Sequence, residues 1–385
     1  MEEWIKCPLG DILNFRRGHD LPKTSMIPGD IPVAGSNGII GFHNVSTPIS
    51  PCITIGRSGN VGTPYIYDKC WAHNTVLYID DYKGNDPKYL YYLLKTLPLA
   101  SFGGGSAVPT LNRNHIHPLE VVFCKDIELQ KKIAGILSKI DDKIELNRQI
   151  NDNLEQQAQA LYKSWFVDFE PFKDGKFEES EIGLIPEGWC VGKAEDFYEI
   201  NIGKTPPRKE HEWFTLDKSQ NIWVSISDLG SDSRFIFDSS EYLTDKAIQK
   251  HNIVLVPENT VLLSFKLTIG RVGIAGTQLT TNEAIARFIT NSVNREYTYF
   301  LLKNFNYSKL GSTSSIATAV NSKIIKAMMI LMPNDECLLN FKKLVGPIID
   351  GIKKNEEEIL HLTELRDNLL LKLMSGELKI NDLDR

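Results

Sequence analysis

Two long stretches of the chain carry apolar residues at alternating steps of three and four, which is the pattern of a helix that packs against a partner helix. The apolar positions are Ile133, Leu137, Ile140, Ile144, Leu154, Ala158, Leu161 and Trp165 in the first stretch, and Val345, Ile348, Ile352, Ile359, Leu362, Leu369 and Leu373 in the second. Asn147 and Asn151 interrupt the first seam, and Asn355 and Arg366 interrupt the second. Each stretch predicts a helix of about 37 residues, roughly 55 Å long. We expect the two helices to pack on each other; surface helices on separate domains are the alternative.

Shorter patterns on either side of these stretches predict strands and helices of ordinary length. Strands are expected at 52–55, 76–79, 253–256 and 261–265, and helices at 87–97 and 296–305. Turn residues are frequent between them. The pattern predicts two small α+β domains, each followed by a long helix.

The two halves of the chain are related by an internal repeat. Trp4, Asp11 and Gly18 match Trp189, Asp196 and Gly203 at an offset of 185 residues, and Leu111-Asn112 matches Val320-Asn321 at 209. The letters TIGR occur twice, at 54–57 and 268–271, but the neighbouring columns favour pairing Gly59–Gly62 with Gly270–Gly273 at an offset of 211. The growing offset places an insertion of roughly 25 residues between about 205 and 260 of the second copy, where a loop would tolerate it.

These patterns divide the chain into two copies of a mixed domain followed by a long helix, with a connector between the copies. The blocks are a mixed domain at 1–125, a long helix at 126–166, a connector at 167–188, a second mixed domain at 189–333 and a second long helix at 334–376. The connector combines aromatic residues, prolines and acids without a period.

Composition narrows the class of protein. The 385 residues are 42% hydrophobic and 24% charged, which is typical of globular proteins, and no apolar run is long enough to span a membrane. The N-terminus lacks the features of a signal peptide, and the six cysteines show neither disulfide nor zinc spacing. A cytoplasmic protein with reduced thiols is expected. The net charge of −6 counts mildly against nucleic-acid binding, although residues 1–125 hold 11 Lys and Arg against 10 Asp and Glu.

Motifs of catalysis are missing from the sequence. There is no Asn/Asp-Pro-Pro-aromatic step of an amine methyltransferase, no P-loop, no GxSxG and no HExxH. Cys70 and His73 lack a third orienting group, and Asp80-Asp81 with Lys83 is more typical of a solvated surface than of a nuclease. We therefore predict no catalytic residue, no metal ligand and no cofactor in this chain.

Polar side chains suited to DNA recur in the loops of both copies. Arg and Lys suit phosphates and guanine edges, whereas Asn suits adenine. Asn74 and Asn282 fall in one column of the repeat, where an Asx cap and a base contact are both open. The candidate DNA-binding residues are Arg16, Arg17, Ser36, Asn37, Arg57, Ser58, Asn60, Asn74, Asn112, Arg113, Asn114 and His115 in the first copy, and Lys204, Thr205, Arg208, Lys209, Lys266, Arg271, Asn282, Asn321 and Lys323 in the second.

The whole chain, with its two-copy layout, resembles the specificity (S) subunit of type I restriction–modification systems. The residues that carry the resemblance are Pro8-LGDI-12 and Ile31-PVAGSNGIIGFHN-44 in the first copy, Leu161-YKSWFVDFEPF-172 after the first long helix, and Ile182-GLIPEGW-189 at the start of the second copy. The resemblance implies an α+β fold with two target-recognition domains and two long antiparallel coiled-coil helices between them.

The resemblance also implies a function without catalysis. Each mixed domain would read one half of a split site in double-stranded DNA, and the helix pair would fix the spacer and dock two methyltransferase subunits. Those subunits would carry S-adenosylmethionine and methylate adenine, and restriction subunits with ATP and Mg²⁺ would join them. Two alternatives remain: a coiled-coil scaffold that binds only proteins, and a methyltransferase or nuclease with unfamiliar motifs.

Overall fold

A computed structural model describes residues 4–104, 109–230, 233–290, 294–310 and 320–379. The chain forms two compact units. Unit 1 comprises Met1–Glu145 and His361–Arg385, and unit 2 comprises Leu146–Leu360. Each unit therefore contains part of both long helices.

Unit 1 is built from short strands, three short helices and parts of the two long helices. The strands are β1 (Trp4–Pro8), β2 (Asn14–Arg17), β3 (Ile31–Gly35), β4 (Gly38–His43), β5 (Cys52–Gly56), β6 (Pro64–Tyr67), β7 (Trp71–Ala72), β8 (Val76–Asp81) and β9 (Glu120–Cys124); the helices that begin here are α1 (Leu9–Ile12), α2 (Pro87–Thr96), α3 (Arg113–Ile116) and α4 (Ile127–Phe166). The strand orders are β2-β8-β5-β6, β4-β3-β7 and β1-β9. The core lies between β2, β5 and β8 and the helices α2, α4 and the C-terminal long helix.

Unit 2 repeats this plan, with a second small sheet in both units. The strands are β10 (Phe177–Ser180), β11 (Gly183–Pro186), β12 (Cys190–Lys193), β13 (Glu199–Ile202), β14 (Phe214–Thr215), β15 (Asn221–Val224), β16 (Phe235–Ile236), β17 (Tyr242–Leu243), β18 (Val261–Ser264), β19 (Val272–Ala275), β20 (Thr280–Thr281), β21 (Ile285–Ile289) and β22 (Met329–Met332); the helices are α5 (Ala194–Phe197), α6 (Asp245–His251), α7 (Arg295–Asn304), α8 (Ser322–Lys326) and α9 (Asp335–Met374). The main sheet has the order β13-β21-β18-β19-β16.

The small sheet of unit 2 has the order β14-β17-β15-β20. Its strands β17, β15 and β20 pair as β4, β3 and β7 do in unit 1, and β14 is the additional strand. A separate apolar cluster of Trp213, Trp223, Leu243, Ala247 and Ile253 includes residues of β15 and β17 and lies entirely within the region 205–260 where the insertion was predicted. This region therefore has an apolar core of its own.

The two long helices were predicted correctly, and they pack antiparallel within each unit. In unit 1 the guanidinium of Arg366 lies 2.8 Å from the carboxylate of Asp141. In unit 2 Asn147 donates to Glu358 at 2.8 Å. The positions expected to interrupt the seam thus pair with polar residues of the other helix, between apolar neighbours that are buried.

One strand expected from the sequence was wrong. Residues 253–256 form no strand, because Asn252 adopts a left-handed conformation that ends α6 and only Val256 makes an isolated bridge, to Leu279. The connector 167–188 contains the antiparallel hairpin β10-β11, which its sequence does not indicate.

The predicted pairing of the two glycine-rich loops was also wrong. Gly62 donates its N–H to the carbonyl of Gly56, and Gly270 donates in the same way to Ser264. Gly62 therefore corresponds to Gly270, at an offset of 208 residues, and Gly59 corresponds to Leu267. The latter pair shares a left-handed backbone, with φ of 87° and 60°. The second Gly-x-Val-Gly run continues into β19, so the common letters are a coincidence.

Candidate nucleic-acid interface

Each unit brings two segments together by a close backbone contact. In unit 1 a Cβ on Gly18 would lie 2.0 Å from the carbonyl oxygen of His73, and in unit 2 a Cβ on Gly203 would lie 2.0 Å from that of Asn282. Only glycine fits at such a distance. The same scaffold therefore places the end of β2 or β13 beside the turn that precedes β8 or β21.

Ser36 holds the scaffold of unit 1 together from inside. Its side chain is buried, and its hydroxyl lies 2.6 Å from the carbonyl of Ser58 and 2.7 Å from that of Thr75. This hydroxyl therefore connects three loops and does not face solvent. Its predicted neighbours Asn37 and Asn60 are exposed, and Ser58 is half-buried.

Three arginines of unit 1 form no ion pair within the described residues. Arg16 and Arg17 are exposed on β2, and Arg57 is half-buried with its guanidinium 3.5 Å from the carbonyl of Asn74. Partial burial and the neighbouring charge of Arg17 lower the pKa of Arg57. These guanidinium groups therefore carry positive charge that is not neutralised by an ion pair within the described residues.

The candidates 112–115 lie next to Arg57. The N–H of Leu111 donates to the carbonyl of Arg57 at 2.8 Å. Asn112 caps α3 by accepting the N–H of Asn114 at 3.0 Å, and Arg113 donates to the carbonyl of Phe15 at 3.0 Å. Asn114 and His115 are exposed. Asn112 has a structural role in the cap, whereas the other side chains of the turn extend to the surface.

Most of the candidate DNA-binding side chains of unit 2 near β13 form hydrogen bonds with other residues of the protein. The ammonium group of Lys204 donates to the carbonyl of His251 at 2.5 Å, and Thr205 binds Glu283. Arg208 forms two hydrogen bonds with the carboxylate of Glu241, at 2.9 and 2.8 Å. Its guanidinium also lies 4.1 Å from the ring centroid of Phe214 and 4.6 Å from that of Trp223. Lys209, next in the chain, is exposed.

Of the remaining candidate DNA-binding residues of unit 2, some form hydrogen bonds within the protein and others are exposed. Lys266 is exposed, and Arg271 donates to the carbonyl of Ile226 at 2.8 Å. Asn321 caps α8 by accepting the N–H of Ile324 at 3.1 Å, and Lys323 is exposed on that helix.

The two asparagines of the shared column turn out not to be equivalent. Asn282 accepts the N–H of Ala284 at 3.0 Å, so the Asx-cap interpretation is confirmed for it. Asn74 instead donates to the carboxylate of Asp20 at 2.5 Å. The contacts of Gly18 and Gly203 pair Asn282 with His73, which places Asn74 opposite Glu283.

The structure adds one residue that sequence analysis missed. Leu267 lies between β18 and β19 and its side chain is fully exposed. A pattern search does not select such a residue, because an apolar side chain in a short loop resembles a core position. Within the described residues, no group of His, Cys, Asp and Glu side chains could hold a metal ion, and no helix is long and apolar enough to cross a membrane.

Comparison with known proteins decides the family. The model of the type I restriction modification DNA specificity domain matches residues 1–156 and again 186–338. The chain belongs to this family. Its function is therefore recognition of a DNA target, and the enzymatic activities of such systems reside in partner subunits.

Relatives and a solved structure agree with this assignment. The chain is 30% identical over 311 residues to the type I restriction enzyme MjaIX specificity subunit of Methanocaldococcus jannaschii, covering 77% of this chain and 70% of that one. It is 24% identical to the EcoR124I/EcoR124II specificity subunit of Escherichia coli, covering 92% and 90%. The crystal structure of the type I S subunit from M. genitalium shares the fold, with a TM-score of 0.60 at 16% identity over 96% of both chains.

Proposed function

We propose that unit 1 and unit 2 of this specificity subunit read two different halves of an asymmetric, bipartite DNA site. The observation that carries the proposal is that one loop scaffold occurs twice with different side chains. Equivalent positions, given as unit 1 and then unit 2, are Arg16 and Asn201, His19 and Lys204, Arg57 and Phe265, Gly59 and Leu267, and Asn74 and Glu283. Because bases are distinguished by the groups that face them, unlike side chains on one scaffold select unlike half-sites.

The charge on unit 1 supports phosphate contact there. Arg17 and Arg57 form no ion pair within the described residues, and burial together with the charge of Arg17 lowers the pKa of Arg57, so a phosphate would offset the repulsion between these two guanidinium groups. In unit 2 Arg208 is already neutralised by Glu241. We expect unit 1 to contribute more of the salt-dependent binding energy than unit 2.

Catalysis is assigned to partner subunits. We propose that two methyltransferase subunits, which carry S-adenosylmethionine, dock on α4 and α9 and methylate adenines in the two half-sites. Restriction subunits that use ATP and Mg²⁺ would join this complex in the cytoplasm. This chain supplies recognition and needs no cofactor of its own.

The decisive experiment is co-expression of this chain with the methyltransferase subunit encoded beside it, followed by genome-wide mapping of methylated adenine by single-molecule sequencing. A split, asymmetric motif with a fixed spacer supports the proposal. If a stable complex methylates no motif, the proposal fails and a protein-binding scaffold becomes the better interpretation.

A second experiment tests whether α4 and α9 set the spacer. Inserting one heptad into each helix, at opposed positions, lengthens the pair by about 10 Å. The spacer in the methylated motif should lengthen while both half-sites stay the same. An unchanged spacer in an active complex would contradict this role of the helices.

A further inference from the structure

The loop that carries Leu267 is closed by Ser264. The hydroxyl of Ser264 donates to the carbonyl of Thr268 at 2.6 Å and accepts the N–H of Arg271 at 3.0 Å. The carbonyl of Ser264 accepts the N–H of Gly270 at 3.0 Å. Because both ends of the loop are hydrogen-bonded to one residue, the tip is held in a defined conformation rather than left to local preference.

Leu267 adopts an unfavourable conformation and leaves its side chain in water. Its φ of 60° lies in the left-handed region, where a Cβ is crowded by the backbone. Phe169 also has a positive φ, of 54°, but its ring packs against Trp189 with centroids 5.7 Å apart. The side chain of Leu267 is fully exposed, so no side-chain packing within the described residues offsets the strain. Strained residues of this kind occur where function requires them.

Unit 1 shows that the loop does not need a leucine. At the equivalent position Gly59 has a φ of 87°, and no heavy atom lies within 4 Å of a Cβ placed there. Glycine makes this conformation without strain. The leucine of unit 2 is therefore an addition to the scaffold, and its purpose lies outside the folded chain.

The surroundings of Leu267 favour DNA over protein as its partner. Lys266 precedes it and is exposed, and the next residue back, Phe265, is buried and donates its N–H to the carbonyl of Ala284. That bond fixes the loop to the turn of Asn282 and Glu283, which belongs to the shared recognition scaffold. DNA presents charged phosphates next to base edges along each groove. A cation followed by an exposed apolar side chain could contact both, the cation a phosphate and the apolar side chain a base edge.

We propose that Leu267 is a specificity determinant that packs against the C5-methyl group of a thymine in the half-site read by unit 2. In the major groove this methyl is the apolar group that a base pair presents. The inference rests on the proposed function, because it requires unit 2 to enter the DNA groove. It predicts that the half-site of unit 2 contains a thymine whose methyl group contributes to binding.

The test uses the complex of the full chain with its methyltransferase subunit, on the motif found by methylation mapping. Each thymine of the two half-sites is replaced in turn by deoxyuridine, which removes only the methyl group. For one thymine of the unit 2 half-site, the wild-type complex should bind the uracil duplex about fourfold more weakly. Leu267→Gly should bind both duplexes equally. Leu216→Gly removes another exposed leucine of unit 2 and should keep the wild-type preference.

The outcomes separate this inference from the proposed function. If no thymine of the unit 2 half-site shows a methyl effect in the wild type, or if the effect persists in Leu267→Gly, the role of Leu267 is overturned while methylation of the motif still supports recognition. Fluorescence of 2-aminopurine that rises on binding only with the wild-type leucine would show a wedge between bases, and would also overturn the methyl contact. Thermal unfolding should show Leu267→Gly to be no less stable than wild type, whereas a structural role would lower its Tm.

Discussion

Asn355 donates a hydrogen bond from its side-chain amide to the side-chain oxygen of Asn151, at 2.8 Å, between the two long helices of unit 2. Asn151 is 1% exposed, so its amide has little access to water. One helical turn away, Asn147 donates to Glu358 at 2.8 Å. Polar groups in an apolar seam are stable when they form hydrogen bonds with each other, and a shift of one helix along the other would break these bonds. We infer that these pairs fix the register of α4 against α9.

The first prediction concerns this pair. Asn355→Leu leaves the buried side-chain oxygen of Asn151 without a donor and should lower the free energy of unfolding by about 1–3 kcal/mol. Asn151→Leu/Asn355→Leu replaces both partners with apolar groups and should restore most of that loss. Urea denaturation of wild type, Asn151→Leu, Asn355→Leu and the double variant gives a coupling energy between the two positions.

Gln156→Leu, at an exposed position on α4, is the matched control and should change stability by less than about 0.5 kcal/mol. Strictly additive losses in the double variant would show that the amide pair contributes nothing specific to the seam.

The second prediction concerns Glu356, a buried carboxylate on α9. Its two oxygens accept the N–H groups of Arg234 at 2.8 Å and Phe235 at 2.7 Å, and burial raises the pKa of this carboxyl. Glu356→Ala would leave both donors without a partner at the start of β16, so we expect a loss of roughly 2–4 kcal/mol in the free energy of unfolding.

Glu357→Ala is the control for that substitution. Glu357 is exposed and lies 3.9 Å from Lys353 one turn earlier, which is a weak surface pair. Its removal should cost less than about 0.5 kcal/mol. A similar loss in both variants would mean that α9 simply tolerates alanine poorly in this region, and the role of Glu356 as an acceptor would be wrong.

The third prediction is a dependence of stability on pH through His117. Its Nε2 accepts the N–H of Phe15 at 3.1 Å, which requires an unprotonated nitrogen. Burial and the charges of Arg113 and Lys83 lower the pKa of His117. The folded state thus binds the proton less readily than the unfolded state, so this stabilisation is present above about pH 6.5 and is lost as the pH falls below it.

Thermal unfolding of wild type and His117→Gln between pH 7.5 and 5.5 measures this effect. Glutamine keeps an acceptor oxygen but does not titrate. The Tm of the wild type should fall by about 1–2 °C more than that of the variant, a small difference because water still reaches the ring. Parallel pH curves would show that His117 contributes no titrating stabilisation.

The long helices could be predicted from the sequence because their signal is local and repeated many times. α4 was expected at 126–166 and lies at Ile127–Phe166, and α9 was expected at 334–376 and lies at Asp335–Met374. The small sheet of unit 2 could not be recognised in the same way. Its strands β14, β17 and β20 have two residues each, which is too short to show alternation.

The sequence shows which polar residues lie in the loops, but not how their side chains are oriented. Ser36 and Arg57 look alike as polar loop residues, yet the hydroxyl of Ser36 bonds carbonyls inside the fold while the guanidinium of Arg57 retains unbalanced charge. Leu267 could not be selected from the sequence at all. Its match with Gly59 rests on a shared left-handed backbone and loop closure, which letters alone do not reveal.

The last prediction uses salt dependence to separate the cations that contact phosphate from those that do not. Each phosphate contact by a Lys or Arg releases counterions and contributes about −0.9 to the slope of log K against log salt concentration. Arg17 and Arg57 form no ion pair within the described residues, so Arg17→Ala and Arg57→Ala should each make the slope shallower by about one such unit. Fluorescence anisotropy of the methyltransferase complex on its mapped motif, from 50 to 200 mM salt, measures the slope.

Arg208 and Lys88 supply the contrast within the same chain. Arg208 is held by two hydrogen bonds to Glu241, so Arg208→Ala should leave the slope unchanged even if it disturbs the Phe214 and Trp223 rings on which the guanidinium lies. Lys88→Ala removes an exposed cation from α2 and should also leave the slope unchanged.

If Arg17→Ala and Arg57→Ala weaken binding without altering the slope, those guanidinium groups bind base edges rather than phosphates. If Arg208→Ala lowers the slope as much as they do, free charge on the scaffold is not what selects the phosphate contacts, and the electrostatic distinction between the two units would be wrong.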